Sequence, residues 1–237
     1  MTDRQVSIVL PVHNQADHIE PLVAEYMRAL EGLPIGYELI LVPNGCRDDS
    51  ASVCARLSDA SAGTVSTVEL ERSGWGAAVR MGLKEATGEQ LCFTNSARTP
   101  PQLLAVALTF ANVYPNVVVK AQRTIRDNRR RRIGSLVYNL ECRVLFDLST
   151  WDINGTPKIF PRSFRRLLEL TRDDDLLDAE FVAVCRRERY PIVEIPALVT
   201  VRRGGRSTTS MRSAVRMYTG AFKLRREFRR DDLRTMP

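Results

Sequence analysis

Five short apolar runs, VSIVLPV (6–12), YELILVP (37–43), STVEL (66–70), EQLCFT (89–94) and NVVVKA (116–121), alternate with stretches whose apolar residues recur at helical spacing. No other feature constrains the fold so tightly. The runs are rich in β-branched residues and bounded by turn formers, as strands buried on both faces are. Between them lie DHIEPLVAEYMRAL, DDSASVCARLSDA, GWGAAVRMGLKEA and PQLLAVALTFANV, each with a helical pattern. Strand, helix, strand repeated in this way predicts an α/β fold: a mainly parallel sheet flanked by helices on both faces and joined by right-handed crossovers. Ligands of such sheets bind beyond the carboxyl ends of the strands. That puts PVHN, VPNGCRDD, ELERSG, FTNSAR and KAQR at the mouth of any site.

The second half is less regular. A helix is predicted over IGSLVYNLECRVLF, then a polar loop through STWDINGTPK, a short strand and helix in KIFPRSFRRLLEL, a helix in LLDAEFVAVCRRE and one or two strands in YPIVEIPALVTV. STTSMRSAVRMYTGAFKLRREFRR reads as a basic amphipathic C-terminal helix opened by a serine cap. A hydrophobic fraction of 44% in 237 residues is ample for a buried core. No run approaches the roughly 18 apolar residues of a spanning helix, and the N-terminus lacks a signal-peptide layout, so a cytoplasmic location is expected. The five cysteines are scattered and form no C-x-x-C pair, which suits reduced, buried thiols.

A formal charge of +7 points to an anionic partner, and the excess is concentrated in KAQRTIRDNRRRR and between Arg202 and Arg234. Three readings of these segments stay open. A nucleic-acid surface is disfavoured, because aromatic interleaving and a recognisable motif are missing. A membrane-surface helix fits the tail, where Met211, Val215, Tyr218, Phe222 and Leu224 alternate with arginines, and gives a location peripheral at the membrane. The third reading packs that apolar stripe on the domain and leaves the arginines in solvent.

The order VSIVLPVHNQADHIEPLV, YELILVPNGCRDDS, GWGAAVRMGLKEATGEQLCFTNSA, DAEF and R-x-G-G-R-S resembles glycosyltransferase family 2, in particular dolichyl-phosphate mannose synthase-like enzymes. The resemblance runs from about Val6 to about Ser210 and implies the Rossmann-like GT-A fold over residues 1–206, with 207–237 as the basic tail. It implies a transferase that moves a sugar from a nucleoside diphosphate to a small-molecule or polyprenyl-phosphate acceptor. On the donor side the family's opening motif falls on Pro11, Val12, His13, Asn14 and Gln15. Its double-aspartate turn falls on Pro43, Asn44, Gly45 and Cys46, and its metal-binding D-x-D falls on Asn95, Ser96 and Ala97. Each acid has become neutral. Divalent cations want hard oxygen ligands, so weak or absent metal binding is expected, with no cofactor beyond the nucleotide sugar.

Arg98, directly after the vacated motif, is the candidate fixed cation, since a guanidinium offers a permanent charge and a bidentate fork to a diphosphate. The resemblance places Arg80 of the Gly-rich segment, Lys158 of WDINGTPKIF, and Arg203 and Arg206 of the late turn near phosphate. Trp75 is open to stacking or packing, and Asp48 to capping the next helix. Asp178 and Glu180 match the late acidic motif, in which a carboxylate takes the acceptor's proton. Their i, i+2 spacing favours one working residue, and Glu180 is the choice. The alternative is a non-catalytic relative that binds a nucleotide, lipid phosphate or protein.

Overall fold

The computed structural model describes residues 6–123, 129–197 and 211–235, with the side chains of 129–133, 211–215 and 231–235 left out. The strands are β1 (Val6–Val12), β2 (Tyr37–Pro43), β3 (Val65–Thr67), β4 (Gln90–Phe93), β5 (Val118–Arg123), β6 (Lys158–Pro161) and β7 (Ile192–Ala197). The helices are α1 (Ile19–Glu31), α2 (Ser50–Ala60), α3 (Trp75–Glu85), α4 (Pro101–Val113), α5 (Arg129–Phe146), α6 (Leu177–Arg187) and α7 (Met211–Thr235). One seven-stranded sheet runs β3-β2-β1-β4-β6-β5-β7. Every pairing is parallel except those of β6, which lies antiparallel between β4 and β5.

Side chains alternate across a strand, and β1 uses both faces. Ile8, Leu10 and Val12 pack with Leu22, Tyr26 and Leu30 of α1, Val53 of α2 and Leu104 and Leu108 of α4. Val9 points the other way, toward Ala78, Val79 and Leu83 of α3. That second layer continues through Tyr138 and Phe146 of α5 and Phe181 of α6 to Ala221 and Leu224 of α7. Phe181 meets Phe93 and Phe160 edge-on, with ring centroids 5.4 and 5.5 Å apart.

The expected α/β architecture is present, with local differences. β3 stops at Thr67, and Leu70 makes only an isolated bridge to Asn44. α5 starts at Arg129 instead of Ile133, because arginine is a good helix former even without an apolar period. The helix expected after β6 is a single 3-10 turn over Arg165–Leu168. α7 lies beside α5, Tyr218 against Tyr138 and Phe228 against Phe146. Its apolar stripe is therefore at least partly packing surface. Among the described residues no helix is long and apolar enough to cross a membrane.

Candidate active site

β1, β2 and β4 end side by side, and each feeds a polar turn. After β1 the chain reverses at Asn14, whose φ of 51° is one that asparagine tolerates better than most side chains. His13 Nδ1 lies 2.6 Å from the carbonyl oxygen of Asn44, so that nitrogen carries the proton and Nε2 is left to accept from Asn14 Nδ2 at 3.2 Å. Asn14 Oδ1 in turn accepts from the Arg47 amide at 2.7 Å. Asp48 takes the first amide of α2, from Ser50, on one oxygen and the Ala16 amide on the other. It caps the helix, as expected, and joins the two turns as well.

The neutral residues at the acidic positions are bonded to one another. Asn44 is buried; its Nδ2 donates to the carbonyls of Val12 (2.8 Å) and Val42 (3.1 Å), and its Oδ1 accepts from Gly74 N (3.1 Å). An aspartate there would set a carboxylate against two carbonyl oxygens. Ser96, also buried, has its hydroxyl 2.6 Å from Gln15 Oε1 and 3.1 Å from the Pro11 carbonyl. Asn95 Oδ1 accepts from Ala97 N, and the Ala97 methyl is buried. Thr94 and Thr99 close the same turn through their hydroxyls at 2.7 Å. Amide and hydroxyl groups that already satisfy each other are a poor donor set for Mg²⁺ or Mn²⁺, so these residues do not fit the ion that the family motif would hold. Among the described residues, no cluster of three or more His, Cys, Asp or Glu could hold a metal.

The candidate cations are spread out. Arg98 is half-buried on the turn that leaves Ser96. Arg80, expected at the diphosphate, instead bonds the Thr171 carbonyl and the Asp173 carboxylate. Lys158, expected at a phosphate, is fully buried and ion-paired with Asp178. It sits opposite Phe93 in the β4–β6 register, with Nζ 5.4 Å from that ring. Arg203 and Arg206 lie outside the described residues. Trp75 packs edge-on against Phe93 at 6.4 Å, which supports its packing role.

Asp178 and Glu180 are both buried in the first turn of α6. Glu180 accepts from the Thr171 amide, the Thr171 hydroxyl and the Arg172 amide at 2.8–3.0 Å. That carboxylate anchors the 171–173 loop, against which Gly74 and Gly76 pack at the start of α3. Asp178, by contrast, meets a side chain, the Lys158 ammonium. Beside Asp178, burial and then the charges of Asp178 and Asp174 raise Asp175 above the usual carboxylate range.

Two neighbouring ion pairs escaped sequence reasoning. Lys120 pairs in register with Lys158 across β5 and β6, and its Nζ donates to Glu194 (2.6 Å) and Thr150 (3.0 Å). Burial lowers the Lys120 ammonium from its ordinary value, with Glu194 opposing. Asp152 accepts from Arg123 Nε, Nη2 and backbone N at 2.7–2.9 Å, which ties the 150–157 loop to the end of β5. The available signal was a lysine inside the apolar run VVVKA, since a lysine in a doubly covered strand requires a buried partner. All five cysteines are unpaired, and burial pushes Cys54 and Cys142 up to about 12, which leaves them inert.

A family model described as glycosyl transferase family 2 matches residues 7–168. Among curated proteins, the undecaprenyl-phosphate 4-deoxy-4-formamido-L-arabinose transferase of Sodalis glossinidius is 26% identical over 224 residues, covering 90% of this chain and 65% of the relative. The protein of the same name from Pseudomonas savastanoi is 28% identical over 137 residues, 57% of this chain and 41% of the relative. The chain thus spans about two-fifths to two-thirds of the length of these relatives. Among solved structures, glucosyl-3-phosphoglycerate synthase from Mycobacterium tuberculosis, in complex with Mn²⁺, uridine diphosphate and phosphoglyceric acid, superposes with a TM-score of 0.70 at 18% identity, covering 93% of this chain and 77% of that one. Residues 1–349 of TarS from S. aureus give 0.54 at 15% identity, covering 83% and 59%.

Proposed function

The chain belongs to glycosyltransferase family 2, and from that membership we propose that it transfers a sugar from a nucleoside diphosphate sugar to a lipid-phosphate acceptor without a D-x-D metal ion. The names of the curated relatives, which act on undecaprenyl phosphate, support that acceptor class. An acceptor oxygen attacks the anomeric carbon in line, and the nucleoside diphosphate leaves with the electron pair of the broken bond. Asp178 takes any proton the attacking oxygen still carries, and Lys158 holds that carboxylate in place.

The single observation that carries the metal-free reading is the Gln15–Ser96–Pro11 contact. It puts neutral hydroxyl and carbonyl oxygens, with no carboxylate, at the position of the family's metal motif, which supports a leaving diphosphate met by fixed positive charge. Arg98, two residues on, is assigned that role.

The test is a transfer assay with a panel of nucleotide sugars and a short-chain polyprenyl phosphate, run with Mn²⁺ and with chelator. Product formation at equal rates in both is expected, and Arg98→Ala should lower turnover about 100- to 1,000-fold. Strict dependence on Mn²⁺, or an Arg98→Ala variant as fast as the parent, would sink the fixed-cation reading. The same neutral contact supports a second reading, a non-catalytic nucleotide binder. Thermal stabilisation by a nucleoside diphosphate with no product from any donor would favour it.

A further inference from the structure

Nine large hydrophobic side chains are exposed among the described residues, and five of them belong to α5 and the loop that follows it: Leu136, Val137, Leu140 and Val144 on the helix and Trp151 in the loop. The four α5 residues follow i, i+1, i+4, i+8 spacing and form one stripe along the helix, the reverse of what a solvent-facing helix shows. Val144 is 75% exposed and Leu140 56%. Tyr138 and Cys142, on the opposite side, are buried and already anchor α5 to the domain. Packing among the described residues therefore does not account for the stripe.

Its chemistry indicates what covers it. α5 carries five arginines against one glutamate, and four of them, Arg129–Arg132, make its first turn. The fifth, Arg143, lies over the half-exposed Trp151 ring at 3.7 Å from its centroid. A stripe of Leu and Val edged by arginine and tryptophan is the composition of a helix lying in the boundary between headgroups and acyl chains. The whole chain adds its formal charge of +7, which repels a second copy and attracts an anionic bilayer.

We infer that α5 is a membrane-docking element: its Leu136–Val144 stripe enters the boundary of an anionic lipid surface, with Trp151 and Arg143 at headgroup level. This assigns to α5 a contact that the sequence pattern alone suggested for the tail. It requires no turnover, so it stands or falls apart from the transferase reading.

The experiment is co-sedimentation of the full chain with vesicles of phosphatidylcholine alone and of phosphatidylcholine mixed with phosphatidylglycerol. The parent is expected to pellet with the mixed vesicles and far less with the neutral ones. Leu140→Asp/Val144→Asp alters two exposed positions, so it should keep the parent's melting temperature while its partition falls at least tenfold. A Trp75→Phe background leaves Trp151 as the only tryptophan, and its emission should shift to the blue on adding mixed vesicles. The inference is overturned if the parent pellets with neither vesicle, or if the double variant pellets as the parent does. It is also overturned if light scattering shows a dimer that the double variant abolishes, which would make a second copy the occupant.

Discussion

At the scale of single residues, the candidate site is defined by what its carboxylates are doing. Glu180 is spent on backbone amides and Asp152 on Arg123, while Asp178 is held in place by Lys158. The last pair is buried, Lys158 fully and the Asp178 side chain all but 7%, so removing one partner strands the other. Lys158→Met should cost about 3 to 5 kcal/mol in urea unfolding, and adding Asp178→Asn should recover most of that loss. If the double variant were as unstable as the single one, the two residues would not be acting as a pair. Sequence reasoning located Asp178, Glu180 and Lys158 but not their partnerships. Local pattern tells which positions are buried or polar, whereas the pairing of β6 beside β5 decides that Lys158 meets Asp178 while Lys120 meets Glu194. The neutral residues were legible in the same limited way: their identities were plain, and the bond between Gln15 and Ser96, 81 positions apart, was not.

At the scale of elements, strands β1 and β2 and helix α4 match their apolar runs end to end, because continuous burial leaves little else that such segments can do. The pattern failed where arginines build a helix turn, at the start of α5, and where a polar loop is held by specific contacts. The 150–157 loop is such a case: Asp152 grips Arg123, and Gly155 lies so close to the sheet that a Cβ there would overlap the Ala121 carbonyl oxygen. That oxygen is backbone and cannot swing aside. Gly155→Ala should therefore destabilise by about 1 to 3 kcal/mol in denaturant unfolding. A neutral result would mean that this loop does not hold its place against β5.

At the scale of the whole molecule, stability should depend on pH in a way set by a few carboxyls. Burial raises Glu141, between α5 and α7, to about 7, and it raises Asp175 too. Both bind protons more tightly in the folded state, so stability declines as pH rises from the ordinary carboxylate range through about 7. Asp147 is lowered, first by its hydrogen bond from Arg186, and its contribution is lost only in stronger acid. Greatest stability is thus expected in mildly acid solution, and Glu141→Gln should leave the melting temperature unchanged at pH 4 but raise it at pH 8. Equal curves for variant and parent at both values would rule out Glu141 as the source. The order of the sheet has a consequence for synthesis. Among the described residues β5 pairs only with β6 and β7, both of which follow it in the chain. As the polypeptide leaves the ribosome, β1 to β4 can assemble at once, while β5 waits without a partner strand through at least the 34 residues between its end and the start of β6. During that interval β5 has no strand beside it, and the antiparallel insertion of β6 is the event that joins it to β4.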